Sequence, residues 1–378
     1  MIYYRKVIPE SRYLVKMSKK IRSCIESLQP YNAGKPIEEL EREMGIKNII
    51  KLASNENPLG PSPKAVEAMK AVAGEMNYYP DSSAYYLREK LAKKHNVKAD
   101  EILVGNGSDE IVALISEMMI EPGDEAIMSE HTFVRYEMAM QLMGGKSVIV
   151  PATEGFGHNL PAMKKAITSK TKIIFICNPN NPTGTMLTQK EIDEFMVDIP
   201  EDIVVIFDEA YYEFVTDPDY AQSMKYFMAK KNVMILRTFS KIYGLAGLRV
   251  GYAITDKEWV ANINKVRPPF NVNRIAQAAA IASLDDKDHV EKSRELNTRG
   301  REYLYQQFEQ MGIKYTKSQA NFILIDTGKD GRDVYQKLLE QGVIIRPMVI
   351  RNHPHHVRIT IGTMEQNIRF IESLKKLY

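Results

Sequence analysis

Along the middle of the chain, short apolar runs alternate with stretches whose apolar residues recur at helical spacing. EILVGNGS (101–108) reads as a strand entering a turn, and SDEIVALISEMM (108–119) as a helix with Ile111, Leu114, Ile115 and Met118 on one face. EAIMSE (125–130) is a short strand, and TFVRYEMAMQLMGG (132–145) a helix stopped by Gly144-Gly145. KSVIVPA, TKIIFICNP and DIVVIFDEAY are further apolar strands, spaced by helical segments such as LPAMKKAIT and TQKEIDEFMV; NVMILRTFSK and GLRVGYAIT continue the series. Such alternation predicts βαβ units and an α/β fold with a mostly parallel central sheet buried on both faces.

After about residue 277 the pattern changes. A long helical stretch (288–312) is followed by three strand candidates, ANFILID, GVIIRPM and HVRITIGT, and the chain ends in the helix EQNIRFIESLKKL. The expected division is an N-terminal arm and packing segment (1–57), a large domain (58–276) and a smaller α/β C-terminal domain (277–378).

Composition changes this picture little. The chain has 378 residues, 44% hydrophobic and 26% charged, which are ordinary globular values and argue against wholesale disorder. A net charge of +3 makes no case for a nucleic-acid partner. The charge is uneven: residues 1–30 hold seven Lys and Arg against two Glu, a surplus of five that leaves −2 for the rest. Two cysteines, Cys24 and Cys177, exclude a disulfide scaffold and fit a reducing, cytoplasmic compartment. The longest stretch free of Asp, Glu, Lys and Arg, 173–189, contains the turn Asn178-Pro179-Asn180-Asn181-Pro182, so neither a membrane span nor a signal peptide is expected.

Four segments carry candidate chemistry, and each begins where a strand ends. Gly105-Asn106-Gly107-Ser108-Asp109-Glu110 lacks the third glycine of a dinucleotide fingerprint. Its free N–H groups at a helix start suit a phosphate, or Ser108 or Asp109 simply caps the helix. Cys177-Asn178-Pro179-Asn180-Asn181-Pro182-Thr183-Gly184 puts amides at the sheet edge where open α/β sheets bind ligands, although a rigid turn alone explains the prolines. Asp208-Glu209-Ala210-Tyr211 ends an apolar strand with a carboxylate, which is costly unless paired; a cationic ring nitrogen would suit it, and a helix cap is the plain alternative. In Thr238-Phe239-Ser240-Lys241 with Arg249, two hydroxyls and a guanidinium flank a lysine: a dianion site beside an amine that can attack aldehydes. His353, His355 and His356 invite a metal reading. Pro354 and the absence of regular Cys or carboxylate spacing favour a solvated loop, so no metal is expected.

The order and spacing of these four segments resemble the aspartate-aminotransferase-like superfamily of fold type I pyridoxal-phosphate (PLP) enzymes. Within it the chain is most similar to the histidinol-phosphate aminotransferase family, through LQPYNAGKP, KLASNENPLGPSP, NYYPD, GNGSDE, CNPNNPTG, TFSKIYGLAGLRVGY, GVIIRPM and VRITIGT. The similarity runs from about Leu28 to the C-terminus and leaves residues 1–20 uncovered. It implies that Lys241 carries PLP and, once released, moves the substrate proton. Asp208 would pair with the ring nitrogen, Asn181 and Tyr211 with the ring oxygen, and Phe133 would stack on the ring where some relatives have Tyr. Gly107, Ser108, Asp109, Thr238, Ser240 and Arg249 would hold the phosphate. Tyr79 would reach the phosphate of a neighbouring subunit, implying a homodimer with shared active sites.

Arg358 would grip an anionic substrate group, with Tyr31 and Arg346 adding phosphate contacts; the bland reading of Arg346 is an edge-strand surface residue. The implied reaction is transamination from histidinol phosphate to 2-oxoglutarate in histidine biosynthesis. The alternatives are an aromatic amino-acid aminotransferase (phenylalanine, tyrosine or prephenate), a phosphothreonine decarboxylase, and a PLP-binding regulator without catalysis.

Overall fold

The computed structural model describes residues 21–26, 28–30, 34–348 and 353–378. A seven-stranded sheet forms the centre. Its strands are β2 (Ile102–Gly105), β3 (Glu125–Ser129), β4 (Lys146–Val150), β5 (Thr171–Cys177), β6 (Val204–Asp208), β7 (Val233–Thr238) and β8 (Gly251–Ile254). They lie in the order β2-β8-β7-β6-β5-β3-β4. β3 to β7 run parallel, and β8 is antiparallel to both its neighbours.

Strand alternation divides the apolar residues between two faces. Ile174, Ile176, Val205, Phe207, Val233 and Ile235 enter one core, while Ile173, Phe175, Val204, Ile206, Met234 and Leu236 enter the other. Both faces are therefore buried, which is why these strands read as continuous apolar runs. The helix Ser108–Met119 occupies the span its periodicity predicts, and Gly144 ends Arg135–Met143 with a φ of 78°.

The second body is a four-stranded antiparallel sheet in the order β12-β13-β10-β9, formed by β9 (Lys314–Tyr315), β10 (Phe322–Asp326), β12 (Arg346–Pro347) and β13 (His356–Thr360). The helices Lys287–Met311 and Met364–Lys375 cover it, burying Leu304, Phe308, Phe370 and Leu374. GVIIRPM does not form one strand. β11 (Val343–Ile344) pairs in parallel with β1 (Ile50–Lys51), whereas β12 turns to β13. The segment before residue 57 thereby joins the small body, with Leu52 in its core and Leu40 packed with Leu339 and Ile344. Closer to the N-terminus, the short helix Ser23–Glu26 lies against Arg135–Met143 of the large body.

The expected boundary at 276/277 falls inside the helix Arg274–Ser283. Ala276, Ala279 and Ala280 of that helix are all buried in the large-body core, and it packs along Pro63–Val72. We therefore put the change of body after this helix, where Lys287–Met311 begins.

Candidate active site

Parallel strands place their carboxyl ends at one edge, and the register aligns them: Cys177 pairs with Asp208, and Asp208 with Leu236, two residues before Thr238. A cavity of about 170 Å³ opens there. It is lined by Ser108, Asp109, Phe133, Asn181, Asp208, Tyr211, Thr238, Ser240, Lys241, Arg249, Arg346 and Arg358, together with Asn55 and Cys177. The structure thus brings together most of the residues singled out from sequence.

One end of the cavity is built for an anion. The helix Ser108–Met119 begins after Gly107, whose φ is 83°, and no side chain caps it. Ser108 is the first helical residue, so the plain capping alternative does not describe it, and the first-turn N–H groups keep their capacity for a ligand. The Asp109 carboxylate is engaged elsewhere, accepting from Arg135 Nε at 2.6 Å. A Cβ on Gly107 would meet Arg249 Nη2 at 2.5 Å, so only glycine lets the guanidinium lie this close. Arg249 Nη1 also approaches Ser240 Oγ at 3.3 Å, and Thr238 donates to Ser240 Oγ at 3.0 Å.

At the base lies Asp208, 4% exposed. Tyr136 OH donates to its Oδ2 at 2.6 Å and the Ala210 N–H to its Oδ1 at 3.1 Å. It caps no helix and makes no ion pair among the described residues. Burial raises its pKa from 3.8 to about 6, against the lowering effect of those two bonds. Tyr136 is fully buried and stacked on Phe175 with ring centres 4.4 Å apart. By sequence pattern alone it is one more aromatic on an apolar helix face. Tyr136→Phe should cost about 1–2 kcal/mol at pH 8, where the phenol serves a carboxylate, and less at pH 5, where the carboxyl is neutral; denaturant unfolding at the two pH values measures this.

Lys241 Nζ sits 5.7 Å from the centre of the Tyr211 ring and donates to the Ser54 carbonyl oxygen at 3.4 Å. Burial and then the nearby Arg358 bring its pKa down to about 8, so roughly a tenth of the amine is neutral at pH 7, far more than for an ordinary lysine.

In the Asn loop, Asn178 and Asn180 turn away. Asn180 donates to the His131 carbonyl at 2.6 Å and to Thr183 Oγ1 at 2.8 Å, while Asn178 holds Leu187 through its carbonyl and amide. Asn181 faces the cavity, its Oδ1 accepting from Arg358 Nη1 at 2.7 Å. The Asn181 NH₂ therefore remains to donate into the cavity. Arg358 also donates to the Ala53 carbonyl at 2.8 Å. Arg346 is its register partner on β12, half-buried at the same wall.

Tyr79 is elsewhere: 78% exposed and stacked on Phe270 at 4.6 Å, outside the cavity of its own chain. Tyr31 lies outside the described residues. His353 and His356, with His131, surround Phe156 with ring centres 5.1–6.0 Å apart, joining the two bodies. Among the described residues, no group of three or more His, Cys, Asp or Glu is arranged to hold a metal ion. Likewise, no helix among them is long and apolar enough to cross a membrane.

Comparison with known proteins agrees with this geometry. The family model for class I and II aminotransferases matches residues 47–374. The histidinol-phosphate aminotransferase of Moorella thermoacetica is 50% identical over 359 residues, covering 95% of this chain and 93% of that protein. That of Caldicellulosiruptor saccharolyticus is 46% identical, covering 94% and 99%. Among solved structures, histidinol-phosphate aminotransferase from Sinorhizobium meliloti in complex with pyridoxal-5'-phosphate superposes with a TM-score of 0.87 at 27% identity, covering 95% and 98%. A Thermus thermophilus aspartate aminotransferase double mutant gives 0.82 at 25%, covering 94% and 98%. With the sheet order, the strand-edge cavity and these relationships in hand, we conclude that the chain belongs to the class I and II aminotransferase family.

Proposed function

We infer that the cavity is a PLP site and that the chain transfers the amino group of L-histidinol phosphate to 2-oxoglutarate, giving imidazole acetol phosphate and glutamate. The observation that carries this reading is a buried amine that shares one cavity with two groups of cations. One group is Arg249 with the Ser240 and Thr238 hydroxyls and an uncapped helix start; the other is Arg346 and Arg358 on adjacent strands, and both Arg358 and Arg249 act on Lys241. One phosphate and a second anion therefore find separate seats. The names carried by the relatives favour the same substrate.

The residues present fit PLP. The helix start at Ser108, with Gly107, Asp109 backbone, Thr238, Ser240 and Arg249, would hold its phosphate. Asp208, buried without an ion-pair partner among the described residues, offers charge to a protonated ring nitrogen. Phe133 presents a flat apolar wall beside it, and Asn181 and Tyr211 present polar hydrogens. When bound, PLP supplies an electron sink for the carbon bearing the substrate amine. The chain's own work is then positional and protonic. Lys241 Nζ takes the proton from that carbon and returns one, its lowered pKa matching the task near neutral pH. Asp208 keeps the sink charged, and Arg358 orients the substrate anion while Arg346 answers the phosphate. Gly34 and Asn55 close the wall from the N-terminal segment.

The exposed Met76, Tyr78, Tyr79, Tyr86 and Phe270 form an apolar surface that we read as the meeting face of a homodimer, in which Tyr79 serves the neighbouring cavity. The two unpaired cysteines favour a cytoplasmic setting.

Turnover of histidinol phosphate, phenylalanine, tyrosine and phosphothreonine, with 2-oxoglutarate as acceptor where one is needed, tests the substrate. Histidinol phosphate should lead in kcat/KM by at least about tenfold, equivalent to about 1.4 kcal/mol. An aromatic amino acid leading by that margin, or carbon dioxide release from phosphothreonine, overturns the assignment. Arg346→Ala should lower kcat/KM for histidinol phosphate by roughly 10²-fold through a lost charge-assisted contact and leave phenylalanine within a few fold. Equal losses on both substrates would remove Arg346 from the phosphate seat.

A further inference from the structure

Asn55 is a cavity-wall residue to which the four chemical motifs give no task. It is 1% exposed, and its backbone is left-handed with a φ of 56°, a conformation asparagine tolerates better than most residues. Its polar groups are shared between the two bodies. On the small-body side, its N–H donates to Thr360 Oγ1 at 2.9 Å and the Thr360 hydroxyl donates to its Oδ1 at 3.2 Å. Asn321 Nδ2 donates to its backbone carbonyl at 3.0 Å. On the large-body side, Asn55 Nδ2 donates to the Tyr211 hydroxyl oxygen at 2.9 Å.

This closed arrangement fixes the sense of every bond. With Thr360 donating to Oδ1, the amide edge toward Tyr211 can only be NH₂. Turning the amide over would aim two N–H donors at the Thr360 oxygen and leave its proton unused. Tyr211 accepts a hydrogen bond at its oxygen and keeps its own O–H to donate. Its ring is locked edge-on to Phe322, with centres 5.1 Å apart, and both Tyr211 and Asn55 border the cavity.

We propose that Asn55 is a positioning residue that makes Tyr211 a hydrogen-bond donor into the cavity, and that Thr360 and Asn321 of the small body hold it in that role. The proposal rests on the PLP reading above, since the receiver of the Tyr211 proton is an oxygen anion of the bound ring. It links the packing of the two bodies to the polarity of one phenol: if Thr360 moves away, the amide is free to turn and the phenol loses its fixed direction.

The test uses the PLP-loaded protein and two readouts besides activity: the pH midpoint of the visible absorption band of bound PLP, and the PLP dissociation constant. Arg358, Asp208, Cys177 and Lys241 are the charged or titratable groups around Tyr211, and the variants leave all four in place. Asn55→Asp keeps the shape and the left-handed backbone but offers Tyr211 only an acceptor. Its midpoint should rise by roughly one pH unit, and PLP affinity should fall about tenfold, because the ring anion loses its donor and gains a carboxylate nearby; Asn55→Gly, which adds no charge, reads the lost donor alone. Asn55→Gly, which suits the same backbone, should shift the midpoint less. Combined with Tyr211→Phe it should add nothing beyond Tyr211→Phe alone. Asn55→Asp with an unchanged midpoint, or Asn55→Gly and Tyr211→Phe shifts that sum, overturns the proposal. Asn55→Gly decides the matter alone if Asn55→Asp does not fold. A wild-type protein that binds no PLP overturns the cofactor reading itself, and this proposal with it.

Discussion

Replacing Lys241 with alanine should abolish turnover, by at least ~10⁴-fold, while leaving a folded protein that still binds PLP. The lysine is asked to do two things that no neighbour can repeat. It lines the cavity beside Tyr211, and its nitrogen is the one amine in that lining, so it alone can both attack an aldehyde and accept a proton there. The phosphate seat is made by other residues, Arg249, Ser240, Thr238 and the helix start at Ser108, and survives the substitution. Binding and chemistry should therefore separate: PLP retained with weakened affinity, turnover lost.

In the wild type, the same lysine predicts a pH dependence. Burial and Arg358 bring its pKa to about 8, and only the neutral amine attacks an aldehyde. Capture of PLP by the ligand-free protein should speed up about tenfold per pH unit below about 8 and level off above it. Stopped-flow absorbance measures this rate. A rate that keeps climbing to pH 10 would mean that the amine is not perturbed.

The second large effect concerns Asp208. Its folded pKa is about 6, above its ordinary 3.8. A raised acid holds its proton more tightly in the folded state, so its contribution to stability is fully present at low pH and is lost as pH rises through about 6. A difference of that size between the folded and unfolded protein amounts to a cost of roughly 3 kcal/mol at pH 8. Asp208→Asn removes this cost: its carbonyl oxygen can take the Ala210 N–H, and its NH₂, standing where Oδ2 was, can donate to the Tyr136 hydroxyl oxygen. The ligand-free variant should therefore be more stable than wild type by about 2–3 kcal/mol at pH 8, the gain shrinking toward pH 4. Turnover should fall on the order of 10²–10³-fold, because the ring nitrogen loses its counter-charge. Stability gained and activity lost in one substitution is the signature of a carboxylate kept for function. A ligand-free Asp208→Asn that is less stable at pH 8 would show that the carboxylate is satisfied by the protein alone.

Local features were legible in the sequence wherever the period was unbroken. The helix Ser108–Met119 and the strands β5, β6 and β7 lie where apolar spacing put them, because both sheet faces are buried and the apolar runs 173–177, 204–207 and 233–236 are continuous. The site residues that follow these strands were legible for the same reason: a polar residue directly after a buried run must lie at the sheet edge. What escaped were pairings between distant segments. Asn55 meets Thr360 across 305 positions, and Tyr136 meets Asp208 across 72. Asn55 stands in SNENP, a polar run whose bonds point to three different places, and Tyr136 sits on a helix face that looks merely apolar. GVIIRPM reads as one strand because its apolar run is continuous. It divides because Val343 and Ile344 pair with Ile50 and Lys51 while Arg346 and Pro347 pair with β13. Nothing in a single strand pattern records which of two sheets receives it.

Two anion seats sharing one cavity with a single amine are the heart of the proposed activity, and a single comparison isolates the seat at Arg346 and Arg358. Histidinol and histidinol phosphate differ only in the phosphate. With 2-oxoglutarate as acceptor, the phosphate should raise kcat/KM by roughly 10²–10³-fold, the value of two charge-assisted contacts from Arg346 and Arg358. Equal kcat/KM for the two substrates would contradict the existence of that seat.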